Sequence, residues 1–149
     1  MKTPLLTFLA SLLVFSGFAP WVQAAGDAEA AYKTLVKAPA FSVGGVGVAG
    51  VVTESDIACR TLMRAQSPGP LFLRILEEGT PAGKMYALCG LYYKSPETFQ
   101  QVAGKYRKSQ ESFEYAAGCM IMKATIQSEM PNLEANRFDG LLKDAPKKP

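Results

Sequence analysis

The sequence predicts a mostly α-helical fold, a small single-domain bundle of helical hairpins with a Gly-rich extended segment near its N-terminus. Three observations predict it. A hydroxyl residue followed by proline marks a helix start twice, at Thr80-Pro81 and at Ser95-Pro96. The residues Phe99, Val102, Ala103 and Tyr106 recur at i, i+3, i+4 and i+7, which puts them on one apolar stripe. The links between such segments are short, about two to four residues, and links of that length join helices into antiparallel hairpins.

The elements follow in order. Residues 1–24 read as a secretory signal peptide. Lys2 is the only charge before Asp27, Leu5–Phe18 is an apolar run, and Val22-Gln23-Ala24 offers a small-residue cleavage site. The run is too short to span about 30 Å of hydrocarbon, so no stable membrane anchor is expected after cleavage. No cysteine lies near that site, which argues against a lipoprotein anchor. The mature chain is expected to begin at Ala25 and to lie in the periplasm or outside the cell. Asp27–Lys37 has acids early and lysines late, as a helix dipole favours, and Pro39 ends it. Phe41–Val52 is apolar, glycine-rich and uncharged, and reads as an extended strand or loop.

Regular helix punctuation comes next. Thr53 or Ser55 caps a helix running to about Gln66. After Pro68-Gly69-Pro70, Leu71–Glu78 is a short helix closed by Gly79. Ala82–Lys94 carries only two charges, Lys84 and Lys94, so it should be buried on several sides, with Gly83, Ala87 and Gly90 admitting a close neighbour. Lys105–Glu114 reads as the polar end of the next helix plus a loop. Cys119–Ile126 is a strand or a helix start. Pro131 breaks the chain, and Asn132 caps a short helix holding Leu133, Phe138, Leu141 and Leu142. The single helical domain is therefore 25–142, and 143–149 is a disordered basic tail.

Composition excludes several chemistries. The chain has no histidine, so Ser-His-Asp catalysis and His-ligated metal sites are ruled out. Its three cysteines cannot build a four-thiolate centre. The mature chain keeps 15 of the 16 basic residues and all 13 acidic ones, a net charge of +2, so no nucleic-acid partner is expected. In an oxidising compartment one cysteine pair is expected. Cys89 with Cys119 is the favoured bridge, which would close a loop of about 30 residues and add about 3.7 kcal/mol. Cys59 with Cys89 is the alternative, and three reduced core thiols the bland reading.

Thr53–Ser109, and above all Gly79-Thr80-Pro81-Ala82-Gly83-Lys84-Met85-Tyr86-Ala87-Leu88-Cys89-Gly90-Leu91, resembles one and a half units of a HEAT- or armadillo-type helical repeat. It covers under half of the mature chain, and no second copy of the motif follows. The whole chain also resembles a family of small exported bacterial proteins. These resemblances imply HEAT-like packing in a stand-alone domain whose job is protein binding.

Each candidate site has a plainer reading. Gly45-Val46-Gly47-Val48-Ala49-Gly50 matches G-x-G-x-x-G, but no βαβ unit with a ribose-binding acid follows it, so no cofactor is expected. Glu77 and Glu78 point about 100° apart on a helix and cannot share a site. Ser109 with Lys105 has the spacing of a Ser–Lys dyad without an oxyanion-hole signature. Ser55 and Asp56 read as capping residues. Glu111 and Glu114, with Tyr115, are i, i+3 neighbours on a helix that could bind a metal weakly or face a basic partner, with a solvated face as the plainer reading. Tyr86, Tyr93 and Tyr106 add apolar area with polar tips, as protein interfaces do. These six residues are the candidate partner-binding set.

The function expected is an exported protein-binding module without catalysis, for example an immunity or inhibitor protein against an envelope effector or hydrolase. The alternatives are a small-ligand-binding protein or enzyme using Gly44–Gly50, and a self-associating structural component of the envelope.

Overall fold

The computed structural model describes residues 20–143 and corrects the mostly α expectation, including the HEAT-like bundle: the fold is mixed α/β. The helices are α1 (Pro20–Val36), α2 (Glu54–Met63), α3 (Gly69–Glu78), α4 (Pro81–Lys94), α5 (Pro96–Tyr106) and α6 (Ile126–Glu134). The strands are β1 (Ala40–Val46), β2 (Val51–Val52), β3 (Ser112–Gly118) and β4 (Met120–Thr125), and a 3-10 turn at Asp139–Leu142 follows α6. The sheet order is β2-β1-β3-β4, with β1 and β3 parallel and the outer pairs antiparallel. The expected leader run Leu5–Phe18 and residues 144–149 lie outside the described residues, and the expected cleavage point after Ala24 falls within α1.

The segment Lys105–Glu114, read as a polar helix end plus a loop, holds the start of β3. Along β3, Phe113 and Ala116 are buried while Ser112, Glu114 and Gly118 are exposed. Pro131 lies inside α6, which starts earlier than the sequence suggests, under a capping box at Thr125 and Ser128. Asn132 is therefore inside the helix, where its amide donates to Glu129 at 2.8 Å.

Helix α4 is the central post of the fold. Every residue from Ala82 to Leu91 is buried except Lys84. A Cβ on Gly83 would lie 2.2 Å from the Leu35 carbonyl oxygen, and one on Gly90 would lie 2.2 Å from the Phe72 ring. The small-residue face thus admits α1 on one side and α3 on the other. Thr80 fixes the start of α4: its hydroxyl accepts from Gly83 N at 3.1 Å and donates to Ala38 O at 2.7 Å. Thr80→Ala removes both bonds, and a thermal melt should show a loss of about 1–2 kcal/mol.

The sheet joins the helices through Phe41. Its ring centroid lies 4.8 Å from that of Tyr86, 5.8 Å from Phe113, 5.5 Å from Tyr115 and 5.2 Å from Phe138. Tilted and edge-on rings at these spacings are attractive beyond their buried area. One side chain therefore holds β1, β3, α4 and the C-terminal turn together.

Candidate functional site

Because β1 and β3 run parallel and each reverses into an antiparallel neighbour, both hairpin turns sit at one end of the sheet. The β1–β2 turn runs through Gly47 and Gly50, both at positive φ (74° and 61°), and Gly50 N donates to Gly47 O at 3.1 Å. The β3–β4 turn is the two-residue loop Gly118-Cys119, with Gly118 at φ 56° and Ala117 opposite Met120. Glycine reaches these conformations without the strain that a Cβ adds for most residues. Gly47 N donates to Gly118 O at 2.7 Å and ties the two turns side by side.

This end of the sheet is apolar and carries no charge. Residues 38–53 and 115–122 contain no Asp, Glu, Lys or Arg. The exposed side chains there are Val48 (98%), Val51 (61%), Met120 (64%), Ile121 (70%) and Met122 (44%). An exposed apolar area on the order of 500 Å² is among the largest that a monomer presents, and such patches mark interaction sites. Strand β4 is also a sheet edge. It has no proline, and its register with β3 is unbroken from Ser112↔Thr125 to Ala117↔Met120. Strand edges of this kind offer free main-chain groups to another chain.

Behind the glycine turn lies a buried polar hub. Asp56 is fully buried, and its Oδ1 accepts from the Tyr86 hydroxyl at 2.5 Å and the Ser42 hydroxyl at 2.8 Å. Its Oδ2 accepts from Gly44 N at 3.0 Å. Burial raises the Asp56 pKa above the usual carboxylate value, opposed by the bonds from Tyr86, Ser42, Gly44 and Thr53. Burial and the facing Asp56 raise the Tyr86 hydroxyl as well. The hub fastens β1 to α2 and α4, and it is closed to solvent. Ser55 and Asp56 do not cap α2; Thr53 does, by accepting from Asp56 N at 3.2 Å. The sequence reading missed this hub because its members are 14 and 30 residues from Asp56 along the chain.

The sequence-predicted partner residues are scattered over the fold. Tyr86 is inside the hub, where no partner reaches it. Tyr106 is buried and donates to Leu76 O at 3.1 Å. Tyr93 and Tyr115 are half-buried against the core. Glu111 accepts from Lys84 Nζ at 2.6 Å, and Glu114 is exposed on β3 opposite Lys123. The G-x-G-x-x-G segment is the hairpin turn itself. Glu78 accepts from the Tyr32 hydroxyl at 2.7 Å, and the Ser109 hydroxyl bonds to Glu111.

The expected disulfide is corrected. Cys59, Cys89 and Cys119 are all free thiols. Cys89 is buried in α4, and Cys119 is exposed at the turn of the edge hairpin β3–β4, too far from Cys89 to pair. Burial raises the pKa of both Cys59 and Cys89, which makes them poor nucleophiles. Among the described residues no group of three or more Cys, Asp or Glu could hold a metal ion, and no helix is long and apolar enough to cross a membrane. Compared with family models, curated proteins and solved structures, the chain matches none.

Proposed function

We propose that the chain is an exported protein-binding module without catalysis of its own, and that it docks through the charge-free end of its sheet. The observation that carries this reading is the pair of adjacent hairpin turns with Val48, Val51, Met120, Ile121 and Met122 exposed. Solvating so much apolar surface is unfavourable, and a partner that covers it removes that cost. The signal-peptide layout of residues 1–24 supports an envelope location. Immunity or inhibition against an envelope effector or hydrolase is the specific form this binding takes. The glycine segment that a ligand-binding enzyme would use is taken up by the hairpin and by its bond to Asp56.

The test compares wild type with Val48→Lys, both expressed from the whole reading frame. Val48 projects into solvent at the turn, so the substitution should leave the melting temperature unchanged. The wild type should retain a stoichiometric effector or hydrolase from envelope extract, and Val48→Lys should lose it by 10-fold or more (roughly the cost of desolvating the new charge). Equal capture by both proteins would sink the reading.

A further inference from the structure

Strand β4 has one free side. Ile126 N donates to Glu111 O at 3.0 Å, which continues the β3–β4 ladder. Main-chain groups alternate sides along a strand. The even-numbered residues 120, 122 and 124 therefore bond toward β3, and Ile121 and Lys123 turn their N–H and C=O outward. Thr125 N also faces away from β3 and is already taken, by Ser128 Oγ at 3.0 Å. The open stretch is thus the apolar one.

We propose that this edge pairs with β4 of a second copy of the chain, making one continuous eight-stranded sheet about a twofold axis. The proposal rests on the binding reading above and names an occupant for the β4 part of that surface. Three features favour a copy of this chain. A twofold interface sets a patch against itself, so charges of one sign would oppose each other there; residues 115–122 have none. The open groups also fit one register. With the axis at Ile121, that residue exchanges both main-chain bonds with the partner's Ile121, Met120 faces the partner's Met122, and Cys119 faces the partner's Lys123. Centring on Met122 instead would set Ile121 against the partner's Lys123 and waste the apolar match. Finally, the patch is the right size for a reversible pair. Met120, Ile121 and Met122 are the part of the patch on β4, roughly 300 Å² from each copy, so the pair is small, held largely by main-chain bonds, and expected to dissociate at micromolar or higher concentrations.

Sedimentation velocity and cross-linking on the full chain test it. The wild type should show a concentration-dependent dimer. Ile121→Lys sets two ammonium groups together on the axis and should weaken dimerisation about 100-fold. Because Ile121 is exposed, the variant should keep the wild-type melting temperature when both are measured at concentrations dilute enough to be monomeric. Lys123→Cys should yield a covalent dimer with an added thiol oxidant, and Cys119→Ser in that background should abolish it. The wild type should not cross-link, because its two Cys119 residues lie about 13 Å apart in this register. A wild type that stays monomeric overturns the proposal, as does an Ile121→Lys dimer or a cross-link that survives Cys119→Ser. A monomer that instead sediments with phosphatidylglycerol vesicles also overturns it and makes the face a lipid-binding one. Partner capture that depends on Val48 but not on Ile121 leaves the proposed function standing and removes only the dimer.

Discussion

Gly90→Ala is expected to lower stability by about 2–3 kcal/mol, although alanine is the better helix former. The helix preference alone would favour alanine by about 1 kcal/mol. Packing reverses the sign. The new Cβ would meet three atoms of the Phe72 ring at 2.2, 2.4 and 2.5 Å. Phe72 is fully buried in α3, so its ring cannot swing into solvent. Either α3 retreats from α4 or the ring leaves its rotamer, and overpacking of this kind costs about 1–3 kcal/mol and occasionally more. The mechanism predicts rescue. Phe72→Leu alone leaves a void and destabilises; combined with Gly90→Ala, the methyl group enters that void. The double variant should be more stable than the sum of the single losses by about 1–2 kcal/mol, read from denaturant midpoints. Strict additivity would show that the ring is not the obstacle.

The same contact explains which parts of the fold the sequence reveals. Gly83, Ala87 and Gly90 on an otherwise apolar helix announce a close neighbour, and α1 and α3 supply it. Thr80-Pro81 marks a helix start by local chemistry, and the Thr80 cap is where that chemistry puts it. Helices depend on contacts three and four residues apart, so local reading finds them. The sheet depends on β1 pairing with β3 some 70 residues later, with Ala40 opposite Glu114. No period within either segment encodes that partnership, and the polar residues Lys105–Glu114 hide the start of β3 behind a helical pattern. The exposed apolar end of the sheet is hidden in the sequence for the same reason. Val48 and Met120 are ordinary apolar residues in the sequence. Only the parallel pairing of β1 with β3 brings their turns to one end. The absence of charge from both segments was visible and was the available signal. The tyrosines were the louder one, and for Tyr86 and Tyr106 the structure spends them on core hydrogen bonds instead.

Asp56→Ala is expected to cost more than any other single change considered, about 3–5 kcal/mol. Alanine removes the acceptor for three donors at once: the Tyr86 hydroxyl, the Ser42 hydroxyl and Gly44 N. Buried donors left without partners carry their full desolvation penalty. Asp56→Asn separates charge from shape. Its carbonyl can still accept from Tyr86 and Ser42, but its amide then faces the Gly44 N–H, donor against donor, and about 1–3 kcal/mol should be lost. The pH dependence identifies which force governs the site. Burial raises the Asp56 pKa in the folded state above its value of about 3.9 in the unfolded chain. Between those two values the native protein holds a proton that the unfolded chain has released. Stability from this group is therefore fully present below about pH 4 and declines as pH rises through the folded value. Asparagine has no such proton. The stability of wild type relative to Asp56→Asn should thus be greater at pH 4.5 than at pH 7.5, measured by denaturant unfolding at each pH. The reverse slope would mean that the bonds from Tyr86, Ser42 and Gly44 outweigh burial and hold Asp56 ionised. In that case the hub is a carboxylate clamp on the glycine hairpin, and acid should release the hairpin turn that carries Val48.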